Sequence, residues 1–76
     1  MNKYRRKRIE DIREKLEELK SEIEEIKYEE QEYLDNIPEN LQNSERYYNA
    51  ESAVDALGEA YDSVDEAVSS LETAAE

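Results

Sequence analysis

The sequence predicts an all-α protein: an antiparallel two-helix coiled-coil hairpin expected to self-associate into a four-helix or larger bundle. Three observations carry this. Apolar residues recur at heptad spacing in two long segments, a short proline-containing break separates them, and the segments are similar in length.

The first segment holds Ile9, Ile12, Leu16, Leu19, Ile23, Ile26, Glu30, Tyr33 and Ile37, which alternate steps of three and four residues with only Glu30 out of character. Taking Ile9 as position a gives the a/d seam of a left-handed coiled coil. The intervening residues are mostly Glu, Lys, Arg and Asp, good helix formers for a wet face. Pairs such as Asp11–Lys15, Glu10–Arg13 and Glu17–Lys20 are neighbours on a helix surface. The spacing predicts a first helix over about residues 2–35.

Residues 35–40, Asp-Asn-Ile-Pro-Glu-Asn, contain the only proline, and the residue before a proline disfavours helix. The turn is expected at about 36–43. Asn43 and Ser44 then offer an N-cap, and Glu45 suits the positive end of the next helix dipole. A second helix is expected from about 44 to 75. It carries three aligned heptads beginning at Ala53, Ala60 and Ala67. Ala50, Leu57, Val64 and Leu71 fall at a, and Ala53, Ala60, Ala67 and Ala74 at d. Tyr47, Val54, Tyr61, Val68 and Ala75 form an adjoining stripe at e. On this frame the small d residues face the first helix and permit close approach. The e stripe, with Tyr47, Val54, Tyr61 and Val68, is then left as a surface for self-association. Two helices of this size rarely bury enough surface to stand alone.

Composition excludes several classes of function. The chain of 76 residues has no Cys and no His, so it lacks thiolate metal sites, the usual general base and the commonest metal-ligating side chain. Paired carboxylates are frequent all along the first helix, and with a single glycine there is no phosphate-cradling glycine-rich loop. No enzymatic activity, cofactor or metal is expected. No more than two hydrophobic residues are consecutive, and the basic start leads into charged sequence, so neither a membrane span nor a signal peptide is expected. A cytoplasmic location is expected.

Charge is the main functional clue. The net charge of −12 is uneven: Lys3, Arg5, Arg6, Lys7 and Arg8 crowd the start, whereas residues 47–76 hold eight carboxylates and no basic residue. Cations at a helix N-terminus oppose the macrodipole. They either neutralise the acidic end of the second helix (Glu72, Glu76), form a soluble tail, or make an anion site, with arginines for phosphate and Tyr4 for stacking on a base. The overall charge argues against direct nucleic-acid binding. A second group is Arg46, Tyr47 and Tyr48. Arg46 and Arg5 both fall at d, at opposite ends of one hairpin. An antiparallel pair of hairpins would bring Arg5 and its neighbours in one chain to Arg46 and the tyrosines of the other. Two pockets lined by Tyr4, Arg5, Arg6, Arg8, Arg46, Tyr47 and Tyr48 would result. The plainer expectation is a local Glu30–Arg46 ion pair with tyrosine packing. A third feature is the row Glu51, Asp55, Glu59, Asp62, Asp65, Glu66 and Glu72, either a solvated face or a mimic of a nucleic-acid backbone.

The segment Ile37-Pro-Glu-Asn-Leu-Gln-Asn-Ser-Glu-Arg-Tyr47, followed by alanine-rich heptads, resembles small acidic helical-hairpin proteins of phages and prophages of Gram-positive bacteria. The likeness spans nearly the whole chain and is carried most specifically by this turn. It implies a phage context, in which small proteins of understood role are often non-enzymatic inhibitors of host defence. Three functions are therefore expected: sequestration of a phosphorylated nucleotide immune signal in inter-chain Arg/Tyr pockets; an acidic mimic that binds a basic host defence protein; or a structural coiled-coil accessory.

Overall fold

A computed structural model describes all 76 residues as two helices, α1 (Lys3–Asp35) and α2 (Glu45–Ala74), with a 3₁₀ turn at Glu39–Leu41 between them. The helices fold back on one another as a hairpin measuring 60 × 14 × 13 Å. Their limits match the expected ones to within two residues.

Each boundary has a local cause. The Asn2 side chain accepts the Arg5 backbone N–H at 2.8 Å and opens α1. Pro38 has no N–H to donate and lies just past the end of that helix, while Ile37 is tied back by its N–H to the Leu34 carbonyl at 3.2 Å. The Ser44 hydroxyl donates to the Leu41 carbonyl at 2.6 Å and accepts the Tyr47 N–H at 3.2 Å, closing the turn and capping α2 together. Caps of this kind contribute about 1 kcal/mol.

Only five of the 76 residues are buried: Leu34, Ile37, Ala50, Val54 and Val68. The first four form one cluster beside the turn, with Tyr47 packed against it. Val68 stands apart in the open half.

The packing corrects the seam on both helices. On α2 the residues turned toward α1 are Tyr47, Ala50, Val54, Leu57, Tyr61, Val64, Val68, Leu71 and Ala75, the a and e rows. Ala60, Ala67 and Ala74, expected to line the contact, are exposed. The stripe of Tyr47, Val54, Tyr61 and Val68 therefore lies between the two helices, not on a free outer surface. A contact made of Val and Tyr buries far more apolar area than one made of Ala, and burial contributes in proportion to area.

On α1 the a row (Ile9, Leu16, Ile23, Glu30, Ile37) faces α2 as expected, but its companions are Arg13, Lys20, Lys27 and Leu34. The d residues Ile12, Leu19, Ile26 and Tyr33 remain 40–50% exposed. The cations of the e row lay their aliphatic stems along the contact and reach acids on α2. Arg13 lies 4.0 Å from Glu72 and Lys20 lies 2.9 Å from Asp65. Lys27 rests against Gly58, where only a hydrogen stands in its way.

Candidate functional site

The expected site residues fall into two groups at opposite ends of the rod. At the open end, the basic hexapeptide forms the first turns of α1 and is exposed. The Arg8 guanidinium stands 5.6 Å over the Tyr4 ring. Lys7 pairs with Asp11 at 3.0 Å, and that hydrogen bond raises its pKa above the ordinary lysine value. Arg6 donates to the Glu76 backbone carbonyl at 3.4 Å. Lys3, Arg5 and Arg8 make no ion pair. No residue of the basic cluster pairs with the Glu72 or Glu76 side chain: Arg6 reaches only the Glu76 backbone oxygen, and Glu72 is met by Arg13, outside the cluster. A shallow groove between the helices here is lined by Arg6 and Arg13 together with Glu10 and Glu72. Lys3, Arg5 and Arg8 lie outside this groove.

At the turn end, Arg46 hydrogen-bonds through Nε to the Tyr33 hydroxyl and lies 5.4 Å over the Tyr33 ring. The expected Glu30–Arg46 ion pair is absent. Tyr33 intercepts the guanidinium because both side chains rise on the same outer flank, whereas Glu30 lies in the seam. Tyr47 and Tyr48 meet edge to face, their ring centroids 6.0 Å apart. Tyr47 is half-buried against the core cluster, so only Tyr48, 54% exposed, offers a free face.

Within one chain the two groups stay apart. From Arg5 to Tyr33, which holds Arg46, α1 rises about 42 Å. No single-chain pocket joins the seven expected ligand residues.

Of the acidic row, Asp65 and Glu72 are engaged by Lys20 and Arg13. Glu51, Asp55, Glu59, Asp62 and Glu66 are exposed without a cationic partner. The Lys20 ammonium is the most connected group of the rod: it bonds Asp65, lies 3.2 Å from Glu17 and stands 5.5 Å from the Tyr61 ring. The Asp65 hydrogen bond first, then Glu17, pushes its pKa well above the usual lysine range.

Two participants were outside the expected set. Tyr33, a seam position by its spacing, is a partner of Arg46. The e row of α1, Arg6, Arg13, Lys20 and Lys27, places a cation every seven residues; on α2, Glu72 and Asp65 answer it seven residues apart, with Gly58 opposite Lys27.

No group of three or more acidic side chains is gathered in a geometry that could hold a metal ion, and no helix is long and apolar enough to cross a membrane. No protein-family model, curated protein or solved structure matches the chain.

Proposed function

We propose that this chain is a non-enzymatic binding protein of phage type whose working form is an assembly of hairpins. It sequesters a phosphorylated nucleotide signal of host immunity between Arg5 and its neighbours in one copy and Arg46 with the tyrosines in another. The observation that supports the reading is the crowding of cations at one end of an acidic molecule. Five of the 10 basic residues lie between Lys3 and Arg8, all exposed, and Lys3, Arg5 and Arg8 make no ion pair. Grouped, forked guanidiniums beside Tyr4 suit a phosphate and a base in one ligand. At the other end, Arg46 is already stacked on an aromatic ring and keeps its charge without a carboxylate.

The test is thermal unfolding with cyclic nucleotides and ADP-ribose derivatives. A ligand at 100 times its Kd adds about 2.7 kcal/mol to a folded state that alone binds it, a rise of roughly 10 °C or more for a domain this small. Arg5→Ala and Arg46→Ala should each abolish the rise while light scattering shows an unchanged assembly. No rise with any such ligand, or loss of the assembly in both variants, sinks the reading.

A second reading is supported by the exposed, unpartnered Glu51, Asp55, Glu59, Asp62 and Glu66 on a 60 Å rod. These would present a nucleic-acid-like row of charge to a basic host protein. Such binding should weaken steeply between low and physiological salt and should survive Arg5→Ala.

A further inference from the structure

The d rows of both helices lie on one face of the hairpin. Arg46, at d on α2, reaches Tyr33, at d on α1, across one flank. The Lys20–Asp65 and Arg13–Glu72 pairs join the e row of α1 to the b row of α2 across the opposite flank. The first flank therefore carries Ile12, Leu19 and Ile26, exposed at 48, 50 and 50%, beside Ala60, Ala67 and Ala74. From Ile12 to Tyr33 it runs about 32 Å. With a width of 14 Å, its footprint is about 450 Å² in projection, so a face-to-face pair would bury on the order of 1,000 Å², the lower bound for a specific interface.

We infer that this face binds a second copy of the chain, antiparallel, so that the two turns point to opposite ends. Charge selects both occupant and direction. Beside the d row of α1 runs its g row: Arg8, Lys15, Glu22 and Glu29, cationic in the first half and anionic in the second. An antiparallel α1–α1 contact centred on Leu19 sets Lys15 against Glu22 and Arg8 against Glu29, twice by symmetry. Ile12 then meets Ile26, and Leu19 meets its own copy. On α2 all eight carboxylates of residues 47–76 occupy b, c or f. The d and g rows there, Ala53, Ala56, Ala60, Ser63, Ala67 and Ser70 onward, hold only small uncharged residues, so two acidic helices can meet without facing charges.

One symmetry axis serves both contacts. Lys20 reaches Asp65 and Lys27 rests on Gly58, so Leu19, next to Lys20, is level with about residues 65–66 of α2. An axis crossing α1 at Leu19 therefore crosses α2 between Ser63 and Ala67, near the middle of its small row. The same operation brings Arg5 of one copy to the level of Tyr33, which holds Arg46, in the other. Each end of the pair thereby brings Arg5 of one chain near Arg46 of the other, two cations that an anion would neutralise. The inference supplies an assembly for the ligand-binding reading above but is tested without ligand, so either can fail alone.

The chain has no cysteine, which makes the test direct. Leu19→Cys and Ala67→Cys alter exposed positions near the axis and leave the hairpin contact untouched, as circular dichroism should verify. Under mild oxidation each variant should form a disulfide-linked dimer with its own kind. A mixture in which Leu19→Cys links to Ala67→Cys instead would overturn the antiparallel arrangement, because it places α1 against the partner's α2. A wild-type monomer by sedimentation at 100 µM would overturn the interface itself. As a second measurement, Lys15→Glu or Glu22→Lys alone should weaken the dimer about tenfold, and the double exchange should restore it. Equal affinity of all four forms would overturn the charge register.

Discussion

Gly58 sits in the middle of α2 with an ordinary helical backbone, since no glycine in the chain has a positive φ. Its value is the space it leaves for a neighbour: a Cβ there would stand 3.3 Å from the Lys27 ammonium nitrogen. That nitrogen ends a flexible side chain and can give way, whereas the cost of glycine in a helix interior is fixed. Gly58→Ala should therefore stabilise the hairpin by about 0.5–1 kcal/mol in urea unfolding. An unchanged or lowered midpoint would mean that Lys27 is held more firmly than its exposed end suggests. At this scale the sequence is uneven as a guide. Ser44 could be read as a cap because capping depends on residues adjacent in the chain. The Arg46–Tyr33 bond could not, because it depends on which flank each helix turns outward.

The two helices were legible in extent, since caps, proline and heptad spacing all act locally. Their rotation was not. Each carries three adjacent apolar or amphipathic rows, and a two-helix contact has room for two. The choice on α1 went to the row of cations, because Asp65 and Glu72 of α2 stand within reach of Lys20 and Arg13. Lys20 is the centre of that choice, and its raised pKa gives the contact a pH signature. The folded-state value lies above the unfolded one of about 10.4. The contribution is therefore complete below that value and is lost as pH climbs through the folded-state value. Wild type should hold a constant stability difference relative to Lys20→Met from pH 7 to about 10, then lose ground above it. Denaturant midpoints across that range check this. A difference that already changes between pH 7 and 9 would assign the effect to another group.

For the whole molecule, the hairpin follows from two long amphipathic segments and a connection too short to allow anything but an antiparallel return. The two clusters of candidate ligand residues were also correctly set at opposite ends, because helical rise alone fixes that separation. What sequence could not show was which apolar rows the hairpin consumes and which it leaves outward, a matter of how three rows on one helix compete for two places on the other. Burial is also distributed unevenly along the rod. Leu34, Ile37, Ala50 and Val54 gather at the turn, and Val68 is the sole buried residue of the open half. Contacts near the turn close short stretches of chain and form early; those farther out wait on longer ones. Leu34→Ala should accordingly slow folding, while Val68→Ala should chiefly speed unfolding, a contrast that temperature-jump kinetics can resolve. The reverse pattern would place the nucleus in the open half. The rod thus has an order in time as well as in space. It zips from the turn, so its basic end is the last part to be organised and the first to be let go.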